Sequence, residues 1–324
     1  MEADVMSDDT ESVRSRAVEK LRRVMGKEFL AQLAAPDTLE IMLNPDGKLW
    51  YEKFGQPMME MGTIPVSKST AILQTIAGYH GRITNFEQPI LECELPIDGS
   101  RFAGQLPPLV ERPTFAIRKK ASRVFTLNEY VDAKIMSELH RDYLCRAIEE
   151  HKNILVVGGT GSGKTTLLNA IIAEIVRQFP DERITTIEDT GELQCLARNY
   201  VGYHTTVNIT MAKILILILR MRPDRIIVGE TRGPEALDMI DAWMTGHPGG
   251  AGTIHSDNTL LALARLRSMI SRNQYAPREI EPVIAGTVNV LVNIAKTSDG
   301  RRVQEIREVQ GFKNGEYITQ LIAA

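Results

Sequence analysis

Apolar residues recur at helical spacing near the start of the chain and at strand spacing after it. Val18, Leu21, Met25 and Phe29 fall on one face of a helix whose other face carries Arg and Lys, which predicts an amphipathic helix. Such a helix either packs into a protein core, which we expect, or lies on an anionic membrane surface. From Thr38 onward, short apolar runs separated by turn residues predict strands around one helix, and so an α+β fold.

The pattern changes at about Ile135, where short apolar runs begin to alternate with helical stretches. Four such runs, NILVV, RITTIE, RIIVG and AGTIH, each lead into a loop and then a helical segment. This alternation is typical of parallel strands joined by crossover helices, and therefore of an α/β fold. The chain then ends in antiparallel hairpins with turns at Asp299-Gly300 and Asn314-Gly315.

These patterns divide the chain into four segments. We predict a disordered tail over 1–14, an α+β domain over 15–121, a polar linker over 122–134 and an α/β domain over 135–324. The tail is predicted because its residues are acidic and show no periodicity. Two domains are also the expectation for a chain of 324 residues.

Composition and charge narrow the class of protein. With 43% apolar and 24% charged residues, the chain is expected to be globular and soluble. The formal net charge of −3 gives no general reason to expect nucleic-acid binding. Three scattered cysteines predict reduced thiols and no zinc site. The polar N-terminus is no secretory signal, and the longest aliphatic run, ILILIL, is far shorter than the ~20 residues of a membrane span. A cytoplasmic protein is therefore expected.

The most informative segment is GGTGSGKTT, which follows an apolar run and precedes a helical one. It contains the phosphate-binding pattern G-x-x-x-x-G-K-[ST] in the context that this pattern requires. Lys164 can reach the β- and γ-phosphates of ATP, and the Thr165 hydroxyl can bind Mg²⁺. The predicted nucleotide-binding residues are Gly158, Gly159, Thr160, Gly161, Ser162, Gly163, Lys164, Thr165 and Thr166.

Carboxylates follow the next two predicted strands. Glu188 ends the run RITTIE and Asp189 follows it, where they can hold Mg²⁺ directly or through water; an N-cap of a helix is the alternative for Asp189. Glu230 directly follows the run RIIVG, where it can polarise the attacking water. Gly229 precedes it at the place where many nucleotide hydrolases carry a metal-binding Asp.

Two histidines lie in the segment TGHPGGAGTIHSDN. His247 stands in a glycine-rich loop and His255 at the end of a predicted strand. For His255 we expect contact with the γ-phosphate, with a purely structural role as the alternative.

Four blocks together resemble one family. In order they are GGTGSGKTT, TIEDTGELQ, LRMRPDRIIVGETRG and TGHPGGAGTIHS, and they resemble the secretion ATPases that drive type II secretion, type IV secretion and type IV pili. DGSRFAGQLPP and FAIRKKAS resemble that family's N-terminal domain, and GRRVQEIREVQGFKNGEY resembles the C-terminus of the TrbB-type conjugal transfer ATPases. ILILIL stands where relatives carry a more mixed helix, so an unusually buried helix is expected there.

The resemblance implies a RecA-like P-loop NTPase domain, a smaller N-terminal α+β domain and a hexameric ring. It implies that ATP binds between the two domains, and that the strand characteristically ends Gly-Glu with Glu230 as catalytic base. It implies a cytoplasmic protein, peripheral at the inner membrane, bound to inner-membrane components of a conjugation or type IV secretion machine. The implied catalytic residues are Glu230, Lys164, Glu188, His255, Arg101 and Arg118, and the implied Mg²⁺ ligands are Thr165, Glu188 and Asp189.

Other functions stay open. A type II secretion or pilus assembly ATPase is disfavoured because many of these carry a four-cysteine zinc module, which three cysteines cannot build. A pilus retraction motor is disfavoured less. A nucleic-acid motor would need a basic channel, which the mild acidity does not suggest. A scaffold that binds ATP without hydrolysing it would be expected to lack Glu230 or Lys164, and both are present.

Overall fold

The computed structural model describes residues 2–53, 56–119, 123–189, 191–206, 208–297 and 300–323, with side chains described from residue 13 onward. The chain forms two compact units, Met1–Arg123 and Val124–Ala324. None of the helices in these described ranges is both long enough and apolar enough to cross a membrane.

The first unit packs two helices with an antiparallel sheet. The sheet has six strands in the order β3-β2-β1-β6-β5-β4. A turn at Asn44–Gly47 joins β1 to β2, and Leu43 pairs with Leu49 across it. The elements of this unit are α1 (Glu2–Ala34), β1 (Thr38–Leu43), β2 (Lys48–Lys53), β3 (Met59–Thr63), α2 (Val66–Tyr79), β4 (Ile90–Glu94), β5 (Arg101–Gln105) and β6 (Thr114–Arg118).

Helix α1 corrects one prediction and decides another. It begins at Glu2, so the segment 1–14, predicted to be disordered, is helical from residue 2. Only Gly26 departs from helical geometry, with φ 83°. The predicted apolar face lies in the core of this unit, where Leu21 and Phe29 are buried, so it packs against protein.

The second unit is built on an eight-stranded sheet with the order β14-β13-β12-β7-β11-β10-β8-β9. The pairings from β12 to β9 are parallel, and those of β12 with β13 and of β13 with β14 are antiparallel. Its strands are β7 (Ile154–Gly158), β8 (Arg183–Glu188), β9 (Asn199–His204), β10 (Arg225–Thr231), β11 (Ala251–His255), β12 (Val290–Thr297), β13 (Gly300–Lys313) and β14 (Glu316–Ile322). Its helices are α3 (Leu127–Asp132), α4 (Glu138–Glu149), α5 (Lys164–Gln178), α6 (Met211–Ile218), α7 (Ala236–Met244), α8 (Thr259–Ile270) and α9 (Ile280–Thr287).

Most of the predicted linker 122–134 is structured and belongs to the second unit, which begins at Val124. Helix α3 lies inside it and starts with a capping box, in which Thr126 and Glu129 satisfy each other's backbone N–H groups. Leu127 and Tyr130 are buried. A helix of only six residues needs few apolar positions to pack, so the segment is mostly polar. That polar composition is why the sequence predicts a linker here.

Helix α6 is less buried than expected from its sequence. Ile214, Leu215 and Ile218 are buried, but Ile216 is 60% and Leu217 49% exposed. The three buried positions lie on the one face of the helix that packs against the core. The other aliphatic side chains of the ILILIL run lie off this face and are therefore exposed to solvent.

A buried ionic cluster fixes the sheet at the end where the parallel strands begin. The Arg225 side chain, at the start of β10, is 1% exposed, and its Nε lies 2.5 Å from Glu182 Oε2. Its guanidinium also donates to the carbonyl oxygens of Gly249 and Ile148 and stacks on the ring of Phe179 at 4.6 Å. These contacts join the segments that lead into β8, β10 and β11. They lie at the amino ends of these strands, whereas the phosphate loop lies at the carboxyl end of β7.

Candidate functional site

The predicted site residues of the second unit collect where four adjacent parallel strands end. In the order β7-β11-β10-β8, the strands place Gly158 opposite His255 and align the ends of β8 and β10. Because ligands of open α/β sheets bind at the carboxyl ends of strands, this edge is the candidate site.

The phosphate loop runs from β7 into α5. Gly161 and Gly163 have φ values of 69° and 99°, a left-handed conformation that favours glycine. Gly158 has no room for a side chain, because a Cβ would lie 2.3 Å from the Ile294 carbonyl oxygen and 2.4 Å from Ser162 Oγ. Helix α5 begins at Lys164, so its positive end and the loop N–H groups form an anion site.

Lys164, His255 and Glu230 form a connected row. Lys164 Nζ donates to the carbonyl oxygen of Gly159 at 2.9 Å and lies 3.1 Å from His255 Nδ1. His255 Nε2 lies 2.5 Å from Glu230 Oε1. The other carboxylate oxygen of Glu230 accepts from Arg232, through Nε at 2.9 Å and Nη2 at 2.5 Å. The row links the loop to the end of β10.

The row fixes the proton on His255. Lys164 can only donate, so Nδ1 accepts, and a neutral ring then carries its single hydrogen on Nε2, the nitrogen that lies next to Glu230. Burial lowers the pKa of His255, and the Lys164 ammonium lowers it further, against the opposing effect of Glu230. His255 is therefore neutral at pH 7 with one defined tautomer.

Glu188 binds the backbone of the loop that follows it. Its Oε2 accepts from the backbone N–H groups of Glu192 at 2.5 Å and Leu193 at 3.0 Å. Burial raises the pKa of Glu188, and these backbone hydrogen bonds oppose that rise. Asn169 on α5 binds the same loop through the carbonyl oxygen of Glu192 and the N–H of Gln194.

Asp189 is more exposed than Glu188 and lies near two side-chain donors. Its Oδ1 accepts from Thr205 Oγ1 at 2.7 Å, and its Oδ2 lies 3.8 Å from Arg232 Nη1. The element that follows is strand β9, so within the described residues Asp189 caps no helix and that alternative is wrong.

The geometry explains Gly229. A Cβ at this position would lie 2.8 Å from the Cβ of Glu188 on the neighbouring strand. The side chain of Asp, which many hydrolases carry here, therefore has no room, and the next residue, Glu230, supplies the carboxylate. His247 stays apart from this chemistry, because its Nδ1 lies 3.2 Å from the carbonyl oxygen of Ala242 at the end of α7.

Arg101 and Arg118 belong to the first unit. They pair directly across β5 and β6, so both side chains lie on one face of the sheet. Their cross-strand neighbours on the outer sides are Glu94 and Glu40. Two positive charges are thus flanked by two negative ones in a single row across the sheet.

The sequence did not single out Asn169 or Arg301 as site residues. Arg301 on β13 donates through Nε to the carbonyl oxygen of Gly161. Asn169 stands in no motif, and Arg301 stands in the C-terminal block GRRVQEIREVQGFKNGEY, which carries no sign of a role at the site; both residues reach the site through tertiary contacts. Arg232 also reaches the site: it lies two residues after Glu230, just beyond the end of β10, and donates to the Glu230 carboxylate.

A family model described as Type II/IV secretion system protein matches residues 89–311, more than half of the chain. The chain belongs to this family. The conjugal transfer protein TrbB of Rhizobium radiobacter is 43% identical over 305 residues, which cover 94% of each chain. The resemblance inferred from the four sequence blocks is therefore confirmed.

Other members of the family are more distant. The type IV secretion system protein PtlH homolog of Bordetella bronchiseptica is 34% identical over 85% of this chain and 89% of its own length. Among solved structures, the ATPase DotB of Legionella pneumophila is 18% identical, with a TM-score of 0.62 over 84% of this chain and 77% of that one. At this identity the likeness concerns the mixed α/β fold alone.

Proposed function

We propose that this chain is the ATP-hydrolysing motor of a conjugal transfer or type IV secretion machine. The observation that carries the proposal is the row from Lys164 through His255 to Glu230, which joins a phosphate loop to a carboxylate. Membership of the TrbB group supports the transport role. A type IV pilus or type II secretion ATPase is the alternative within the family.

The phosphate loop binds ATP through its inward N–H groups and the start of α5. Lys164 leaves the carbonyl oxygen of Gly159 and reaches the β- and γ-phosphates, which are stronger acceptors because they are charged. Once Lys164 has left Nδ1, the ring of His255 can turn so that its Nε2–H, the one hydrogen of the neutral ring, donates to the γ-phosphate. Glu230 polarises the attacking water as general base.

The oxygen donors at this edge fit Mg²⁺. The ion prefers octahedral oxygen ligands and is usually held by one or two protein groups, water and substrate phosphates. Thr165 lies at the start of α5 and Asp189 just after β8, and the carboxylate of Asp189 is 39% exposed. Glu188 fits less well, because its Oε2 is already bound by two N–H groups. When bound, Mg²⁺ neutralises charge on the β- and γ-phosphates.

The finer parts of the proposal come from the family. We propose a homo-hexamer of RecA-like second units, in the cytoplasm and peripheral to the inner membrane, bound to membrane components of the transfer machine. Arg101 and Arg118 meet the phosphates of ATP, where a guanidinium fork suits phosphate oxygens. Closure around ATP and reopening after product release then turn hydrolysis into motion. Direct nucleic-acid binding is not expected.

The first test is ATP turnover per subunit against protein concentration. We expect turnover to rise steeply with concentration, because assembly completes the site. Glu230→Gln should lower turnover by about 10²–10⁴, the range for loss of a general base. Glu279→Gln removes the same charge from an exposed position before α9 and should change little. Turnover that is low, flat with concentration and equal in Glu230→Gln would favour a nucleotide-binding scaffold. Stimulation by added DNA would favour a nucleic-acid motor.

A further inference from the structure

A second cation reaches the phosphate loop from the C-terminal hairpin. Arg301, at the start of β13, donates through Nε to the carbonyl oxygen of Gly161 at 3.2 Å. Its Cδ lies 3.1 Å from the place that a Cβ on Gly163 would occupy, so the stem of the arginine packs directly on the loop. Arg301 therefore contacts two of the glycines that give the loop its shape.

The main sheet fixes the place from which Arg301 reaches the loop. β12 lies beside β7, the strand that enters the loop, and β13 returns antiparallel to it with Arg301 opposite Lys296. Thr297 Oγ1 donates to the carbonyl oxygen of Gly300 at 2.8 Å next to Arg301. The guanidinium is thus carried by paired backbone.

Arg301 and Lys164 hold the loop from two directions. The N–H groups of a phosphate loop point inward to the anion, and Arg301 binds a carbonyl oxygen, the group that such a loop leaves for other partners. Lys164 binds the carbonyl oxygen of Gly159 and faces His255 on β11. Arg301 comes instead from the β12–β13 side, so the two cations have different supports.

The glycines make such a support valuable. Gly161 and Gly163 both have positive φ, and glycine loses more conformational freedom on ordering than any other residue. A loop that is ordered before the nucleotide arrives spares that cost at binding, which increases affinity. A charged donor on the Gly161 carbonyl orders the loop in this way.

We propose that Arg301 is a positioning residue of the nucleotide site, which holds the phosphate loop in its binding conformation through the Gly161 carbonyl. The inference rests on nucleotide binding by this loop, as proposed above. The ground state and the transition state need the same loop conformation, so loss of Arg301 weakens both equally. It therefore raises Kd and KM and leaves kcat nearly unchanged.

The test measures the Kd of ADP by calorimetry, and KM and kcat for ATP, on the full chain. We expect Arg301→Gln to raise Kd and KM about tenfold, the loss of one charge-assisted hydrogen bond. Arg301→Lys should recover part of the loss, because an ammonium can donate to the same carbonyl. Arg302→Gln is the matched control: it removes the same charge one residue away and should leave Kd within about twofold.

Three results would overturn the inference: an unchanged Kd in Arg301→Gln, an equal rise in Arg302→Gln, or a fall in kcat at constant KM. The last would place Arg301 in the chemistry. If Arg301→Gln does not fold, Arg301→Lys is the deciding variant. We expect its Kd to be roughly threefold higher, because an ammonium has a poorer donor geometry for this carbonyl. A wild-type Kd in this variant would contradict the inference. Failure of the proposed function looks different, because the unmodified chain would then bind no ADP or turn over no ATP.

Discussion

Protonation of His255 would break the connection between the phosphate loop and the end of β10. The neutral ring accepts at Nδ1 from Lys164 and faces Glu230 through Nε2. A proton on Nδ1 would set two positive charges against each other 3.1 Å apart. The site is therefore built for the neutral ring, and its function depends on the pH range in which that form persists.

We predict a loss of turnover on the acid side that depends on His255. Its pKa is lowered in the fold, so its contribution to stability is complete above the unfolded value of about 6.5 and is lost as pH falls from there to the folded pKa. Turnover, normalised to pH 7.5, should fall at lower pH, as pH drops through the folded pKa below 6.5, because only there does the ring take up a proton in the native protein. His255→Gln, slower throughout, should lack this acid limb, and a limb of equal size in that variant would assign it to another group.

The sequence predicts strands and helices best where a motif and the periodicity of apolar residues agree. The phosphate loop, the strands β7, β8, β10 and β11 and the carboxylates at their ends follow from residue spacing. β9 was missed because it is an edge strand whose residues are mostly exposed, so it has no continuous apolar run. α3 was missed although Thr126 to Glu129 carries a capping-box signature.

Contacts between elements could not be predicted at all. Asn169 and Arg301 act on loops that lie 23 and 140 residues away in sequence. Arg225 could be placed at the start of a strand, but the pattern gave no sign that its charge would be buried against Glu182. Such pairs depend on which loops the sheet order brings together, and residue spacing does not encode that order.

The buried pair of Arg225 and Glu182 should support β8 and β10 together. We predict that Glu182→Gln lowers the free energy of unfolding of the second unit by about 3 kcal/mol, because it leaves a buried guanidinium without a counter-charge. Denaturant unfolding measures the change. Glu281→Gln is the control, because its partner Arg267 is 59% exposed, and should cost less than about 1 kcal/mol. Similar values for both variants would show that burial of the pair adds nothing.

The two units of the molecule carry different parts of the proposed reaction. The second unit carries the phosphate loop, Glu230, which we propose as the general base, and His255, and the first unit carries the paired Arg101 and Arg118. If both arginines serve ATP hydrolysis, the reaction needs both units. That requirement would make turnover sensitive to every step that brings the units of the assembly together.

We therefore predict that Arg118→Gln lowers kcat by about 10³, the lower range for an arginine that stabilises the transferring phosphoryl group. Arg112→Gln, an exposed position on the loop before β6, should leave kcat within about twofold. Steady-state ATP turnover above the assembly concentration measures both. Equal kcat in the two variants would remove Arg118 from the reaction and leave catalysis to the second unit.

The crowding between Gly229 and Glu188 also limits how this site can change over generations. A Cβ at Gly229 would meet the Cβ of Glu188 at 2.8 Å, so the two positions share one space. A mutation to Asp at Gly229 fits this backbone only if position 188 also loses its Cβ by becoming glycine, and that step removes the carboxylate that holds the following loop. We therefore expect the two residues to vary together among relatives. A change from Gly to Asp at the end of this strand, made one substitution at a time, would pass through a variant with a defective site.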